Sequence, residues 1–378
     1  MKKKVLFSIF SMIFLMVTGL QPVLAESIAE LEKRIEALEK QSPAGSDTLG
    51  KISDRLTLVG TIELDYAYAD DSDLSDTDKQ SSSNLDIGKI ELGLFADLHE
   101  YVNAVLLLKG EDLDENDGDN IFWNMAFFTI QKQDFPVYFV GGKTYQPFGV
   151  FETLFISDPI ICDLYAINAT GATIGATFEP FGIDISGIVY KGETLTNRVS
   201  DAGYGSGRDT SPGYENNNVS SYVLNMSLSP AKNLNLSVYF NSESGDGDRN
   251  TTAGMSAHYA IAGVLLDGEY IGALNREKHF TDNEEYKESS WFLSLGYQIL
   301  DPLLGAIRYE SFDDGQGGEQ DGHLDYRYSI GLTYTFFEND TFACNLLGEY
   351  RKSGYELSSG SNANSNLNEF FTRIAVEF

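Results

Sequence analysis

From Leu56 onward the apolar positions of the chain recur every second residue. Leu56, Leu58, Gly60, Ile62, Leu64 and Tyr66 alternate with Thr57, Val59, Thr61, Glu63 and Asp65. Leu234, Leu236, Val238 and Phe240 alternate with Asn235, Ser237, Tyr239 and Asn241, and Tyr326 to Phe336 repeats the pattern. A period of two marks strands with one apolar and one polar face. In the Tyr326–Phe336 run the apolar face begins and ends in aromatics: Tyr326 and Tyr328 at one end, Tyr334 and Phe336 at the other. Ten steps at ~3.3 Å and a tilt near 45° cover roughly 23 Å, close to the apolar band of an outer-membrane barrel. Strands in globular sandwiches average only about 5–6 residues.

Applied to the whole chain, the pattern predicts sixteen strands near 56–69, 89–98, 101–110, 121–132, 136–143, 170–179, 182–191, 220–229, 233–242, 251–260, 262–272, 289–299, 302–312, 324–337, 341–352 and 369–378. Seven short turns alternate with eight long polar loops, the asymmetry of bacterial barrels. The expected fold is therefore an all-β transmembrane antiparallel barrel. The last strand carries Phe370, Thr372, Ile374, Val376 and Phe378 on one face, and the terminal Phe resembles the assembly signal of outer-membrane proteins. The barrel-assembly machinery is then an expected partner, together with outer-membrane lipid and lipopolysaccharide.

The segment before the barrel reads differently. Lys2, Lys3 and Lys4, the apolar run Val5–Thr18 and Val23-Leu24-Ala25 make residues 1–25 a secretory signal peptide. Residues 26–50 form a periplasmic helix and linker, in which Ile28, Leu31, Ile35 and Leu38 set an a/d seam. Two heptads support either an oligomerising coiled coil, hence a homo-oligomer, or an amphipathic linker helix. Residues 51–378 are the barrel. About 30 residues between cleavage site and first strand are too few for a plug domain.

Composition narrows the chemistry. The chain has 378 residues, with 26 Lys+Arg against 57 Asp+Glu and a net charge of −31. Loss of the three signal-peptide lysines would take the mature charge to −34. Such acidity argues against nucleic acid as a partner. With 12% aromatics it does not signify disorder. Two Cys and four His support neither a disulfide framework nor a Cys/His metal centre, so no cofactor or metal is expected. No catalytic constellation stands out, and the expectation is a non-enzyme. Asp112-Leu-Asp-Glu-Asn-Asp-Gly resembles a calcium loop, but its Gly falls one position late.

By parity, Arg308, Arg327, Arg351 and Arg373 face the lumen on strands 13 to 16, as do Glu63, Asp65, Asp267 and Glu269. A basic wall in a low-dielectric tube concentrates anions. Glu310, Glu349 and Glu377 lie close in sequence, and pairing of the arginines by these acids is an equal alternative. Lys143 joins the arginines as a candidate ligand for an anionic solute. The third loop, 144–169, is rich in apolar residues and is expected to fold inward as a constriction. Its candidate residues are Tyr145, Pro147, Phe148, Gly149, Phe151, Glu152 and Asp158.

The run Gly142-Lys143-Thr144-Tyr145-Gln146-Pro147-Phe148-Gly149-Val150-Phe151-Glu152-Thr153, followed by Ser157-Asp158-Pro159, resembles the signature of the legiobactin-receptor (LbtU) family of siderophore porins. The resemblance implies an outer-membrane channel without a plug, with a ferric siderophore as its small-molecule solute. The residues alone leave two alternatives: a general or anion-selective diffusion porin, and a non-conducting adhesion or structural barrel.

Overall fold

The computed structural model describes residues 55–70, 81–111, 113, 121–151, 153–204, 218–245, 248–279, 283–316, 323–356 and 365–378. The signal peptide, the heptad helix, the calcium-like run beyond Leu113 and Glu152 lie outside these residues. Sixteen antiparallel strands follow one another around a closed barrel, each paired to its sequence neighbours. They are β1 (Leu56–Ala69), β2 (Ser82–His99), β3 (Val102–Glu111), β4 (Ile121–Gln131), β5 (Val137–Tyr145), β6 (Asn168–Phe178), β7 (Ile183–Lys191) and β8 (Val219–Ala231). The second half comprises β9 (Leu234–Ser244), β10 (Arg249–Ile261), β11 (Val264–Asn275), β12 (Ser289–Leu300), β13 (Leu303–Asp313), β14 (Leu324–Glu338), β15 (Ala343–Tyr355) and β16 (Asn366–Glu377). Two short helices, α1 (Ile160–Tyr165) and α2 (Thr194–Asp201), lie in the loops after β5 and β7.

Closure joins β1 to β16, in register from Thr61↔Glu377 to Ala69↔Glu369. Gly60 and Phe378 complete the seam with reciprocal backbone bonds of 2.8 and 3.0 Å. The Phe378 ring lies over Gly60, where a β-carbon would stand, so a larger residue there would displace the ring. A closed sheet leaves no unpaired edge, the condition for crossing a bilayer with strands.

The outer surface is the apolar face read from the sequence. Leu58, Ile62 and Leu64 on β1 and Tyr328, Ile330, Leu332, Tyr334 and Phe336 on β14 are all exposed. Near the loop end the aromatics form a girdle, with Trp291–Tyr309, Tyr309–Tyr328 and Tyr326–Tyr328 ring centroids 5.2, 4.9 and 5.2 Å apart. Phe337 and Phe342 stack at 4.9 Å at the turn end. Exposed apolar side chains on this scale are stable only against hydrocarbon. The protein is thus an outer-membrane barrel of a Gram-negative cell.

The strand boundaries differ most at β2, which starts at Ser82 rather than near residue 89. Ser82–Asp86 carry a single apolar residue, Leu85, exposed on the outer side, and so show no apolar alternation of their own. They pair with Ala69–Asp65 after a register shift and so extend the hairpin beyond the apolar band. Cross-strand pairing, not amphipathicity, makes this stretch a strand.

Candidate functional site: the barrel lumen and its inserted loops

The molecule's apolar core sits inside the barrel, on one side. Phe148, Ile160, Ile161, Leu164, Tyr165 and Ile167 of the third loop pack on Ile188, Tyr190, Val223, Tyr239, Ile271, Phe292 and Phe312 of the wall. The loop therefore enters the lumen. In α1, Ile160, Ile161, Leu164 and Tyr165 are buried together, as expected for positions one and four apart on a helix. The loop after β7 enters too. Its helix α2 buries Leu195 and Val199, four apart, beside α1.

Wall glutamates hold both loops by their backbone. Glu269 on β11 accepts the N–H groups of Val150 and Phe151 at 2.8 and 2.9 Å, and the Tyr239 hydroxyl. Glu349 on β15 accepts the Ser157 N–H and hydroxyl at 2.8 and 2.6 Å. Glu310 on β13 accepts the Ile160 N–H at 2.6 Å, at the start of α1. Glu243 on β9 accepts the Leu195 and Thr196 N–H groups at 2.8 and 2.9 Å, taking the role that an N-cap side chain would otherwise fill for α2. Bonds to a charged acceptor contribute ~1.5–3 kcal/mol each. Backbone geometry at the tip is tight. Gly149 has φ +92°, and Phe151 has φ +52°, a strained value for a large side chain that the bidentate Glu269 holds in place.

Each of the four arginines faces the lumen and meets an acid. Arg308 is fully enclosed, with Nε 2.8 Å from Glu310 and other nitrogens on Thr153, Ser157 and the Asp158 carbonyl. Its guanidinium also lies 4.6 Å from the Phe155 ring centre. Arg327 contacts Tyr204 at 3.0 Å and approaches Asp163 at 3.8 Å. Arg351 makes two bonds of 2.7 Å to Glu369. Arg373 bonds both oxygens of Asp65, at 2.7 and 2.6 Å, and reaches Glu63 at 2.8 Å. The arginines are paired, but of the acids expected from the sequence only Glu310 bonds one of them, with Glu349 4.0 Å from Arg308; Asp163, Glu369, Asp65 and Glu63 meet the others.

Lys143 is not brought to the arginines. It lies opposite Ala126 and Thr170 and shares the face of Phe139 and Gly141, which is the lipid side. Its ammonium donates to the Trp123 carbonyl at 2.8 Å and rests 5.9 Å from the Phe122 ring centre. Tyr145 ends β5 against a second apolar cluster formed by Val105, Leu107, Met125 and Phe127. Pro147, Phe148 and Gly149 are buried, whereas Asp158 is exposed.

The opposite arc is wet and charged. Lys89 and Glu63 pair at 2.8 Å, Lys109 pairs with Glu111, and Asn345 bonds Glu377 at 3.3 Å. Lys89 and Arg373 keep about a fifth of their side-chain surface exposed, and Glu111 two-fifths. On β1–β3 and β15–β16 the lumen-facing Glu63, Asp65, Glu91, Glu111, Glu369 and Glu377 outnumber Lys89, Lys109, Arg351 and Arg373.

Sequence reasoning missed the second inserted loop and the backbone-holding role of the wall glutamates. The first had a signal in Leu195 and Val199, apolar residues four apart within a polar loop. Among the described residues no group of three or more His, Cys, Asp or Glu is placed to hold a metal. Cys162 and Cys344 are both free thiols. Burial pushes the Cys162 thiol well above its usual value, the opposite of an activated nucleophile.

A closed sixteen-stranded barrel with an inserted third loop and an apolar outer band has the architecture of the bacterial porins. Three solved structures are similar to the chain in fold, each at 13% identity. An anion-selective porin from Comamonas acidovorans matches with TM-score 0.58 over 85% of this chain and 99% of its own. OmpF of Salmonella typhi, in complex with daunomycin, and the outer membrane channel DcaP of Acinetobacter baumannii match with TM-score 0.60, over 85% of this chain and 97% of theirs. In sequence the chain is similar to the UPF0422 protein of Coxiella burnetii, 23% identical over 311 residues, which cover 74% of this chain and 62% of that one. The chain thus spans about three-fifths of the curated relative it matches. No family model matches the chain.

Proposed function

We propose that this barrel is a diffusion channel for small hydrophilic solutes, narrowed by its third loop. The observation that carries this reading is the one-sided placement of the inserted loops. Glu269, Glu310 and Glu349 pin the third loop toward β11–β15. The arc from β15 through β3 keeps a partly exposed charged lining. Acids outnumber bases there, and Arg351 and Arg373 are each bonded to a carboxylate, so the path favours cations over anions. Purified protein in planar bilayers tests the reading: discrete channel openings are expected, and a silent bilayer would leave only an adhesive or structural barrel.

The resemblance of residues 142–153 supports a narrower reading, in which the solute is a ferric siderophore. The buried Gln146–Phe148 stretch of that run opens the constriction loop, with the Gln146 side chain bonded to the Thr144 and Ala169 carbonyls at 3.0 and 2.8 Å. Block of conductance by ferric carboxylate chelates, together with poor growth of a deletion strain on them under iron limitation, supports it. Normal growth and no block remove it while leaving the channel reading intact.

A further inference from the structure

Four buried polar atoms without a hydrogen-bond partner among the described residues lie close together on β14 and β15. On β14, the Nε and Nη1 atoms of Arg327 and the Ser329 hydroxyl have none, and on β15 neither does the Ser353 hydroxyl. All three residues are more than nine-tenths buried and face the lumen. Arg327 is directly opposite Ser353, and Ser329 is two residues along on the same face. Directly opposed side chains stand with β-carbons ~4.5–5.5 Å apart. Ser329 itself lies between Arg308 and Arg351 in the register of the flanking strands.

The neighbouring acids are committed elsewhere. Glu310 bonds Arg308 and Ile160, Glu349 bonds Ser157, and Glu369 bonds Arg351. Asp163 accepts from Tyr204 at 2.6 Å and stays 3.8 Å from Arg327, beyond hydrogen-bond reach. Tyr204 covers the guanidinium from the second inserted loop, 5.0 Å from its ring centre. A guanidinium only donates, and a serine hydroxyl can donate. What these groups lack in common is therefore an acceptor, and buried donors left unmet destabilise the fold.

We propose that Arg327, Ser329 and Ser353, beneath Tyr204, together bind a small monovalent anion, either a halide or the carboxylate of a small solute. The site lies under the inserted loops, at the β14–β15 border of the charged arc, and the proposal holds whether or not the barrel conducts.

Crystals of the full chain in detergent, soaked in sodium bromide or in halide-free sodium formate, test it. An anomalous bromide peak touching Arg327 and either serine is expected, or planar carboxylate density there in formate. The first outcome assigns the position to halides and the second to carboxylates. In solution, replacing gluconate by the bound anion at constant ionic strength raises Tm in the wild type and not in a Ser329→Ala/Ser353→Ala double variant. That comparison also separates a specific site from binding at crystal concentration. Water-sized density without anomalous signal in both soaks, or an equal Tm rise in the double variant, overturns the proposal.

Discussion

Arg308 and Glu310 face each other on one strand with neither side chain exposed, and together they clamp the third loop at Ser157, Asp158 and Ile160. Taking one partner from a buried pair costs ~3–5 kcal/mol, because the other charge stays behind. Here two acids would be stranded, since Glu349 also lies 4.0 Å from Arg308. Arg308→Ala should therefore release the loop while the hydrogen-bonded barrel persists. Single-channel recordings should show larger and noisier openings, with the heat-modifiable gel shift of a folded barrel retained. Openings identical to wild type would mean that the clamp does not set the aperture.

The loop tip depends on two glycines of the wall. A β-carbon at Gly331 would stand 2.8 Å from the Phe155 ring, and one at Gly296 2.5 Å from Leu154. Gly331→Val should push the tip toward the lumen, at about 1–3 kcal/mol of overpacking. Conductance should fall, opposite in sign to Arg308→Ala. A rise would place the Phe155 contact outside the narrowest section.

Strand number, closure and the lipid face were legible because the bilayer enforces the period of two on every strand. Leu58, Ile330 and Phe336 declare their side by parity alone. What lay beyond the pattern depends on contacts distant in sequence. Parity puts Glu269 and Glu349 in the lumen, but the backbone they accept from is more than a hundred residues away. Lys143 was misplaced because a charged residue in an apolar strand suggests the lumen. Its strand instead turns Lys143 outward, where the Trp123 carbonyl and the Phe122 ring satisfy it. Ser82–Asp86 cannot be read as strand from the sequence because one apolar residue, Leu85, sets no alternation.

The inserted helices should respond to pH through Asp163. Burial raises the pKa of this carboxyl, opposed by the Tyr204 hydrogen bond and more weakly by Arg327. A raised value in the folded state means that the folded chain binds the proton more readily than the unfolded one. Stability from this group is thus lost as pH rises and is fully restored below the ordinary carboxylate value near 4. Asp163→Asn mimics the neutral form. Amide exchange in α1 and α2 should be slower in this variant than in wild type at neutral pH, and the gap should close on acidification. A gap independent of pH would show that Asp163 does not titrate with docking.

Reversal potentials across a salt gradient can separate the wall charges from their bland neighbours. The wet arc has more acids than bases, so wild-type channels should prefer cations. Arg373→Met frees Asp65 and Glu63 and should strengthen that preference. Glu91→Gln should weaken it, since Glu91 faces the lumen opposite Lys109 and its Oε2 has no hydrogen-bond partner among the described residues. A unit charge about 8 Å from the path in water is worth ~0.5 kcal/mol, near a twofold change in local ion concentration. Both shifts should shrink in high salt, where the Debye length falls to ~3 Å at 1 M. Lys143→Met serves as the counterpart, because its side chain points to lipid and its loss should leave the reversal potential where it was. A shift with Lys143→Met as large as that with Arg373→Met would mean that the strand β5 face has been assigned the wrong way round.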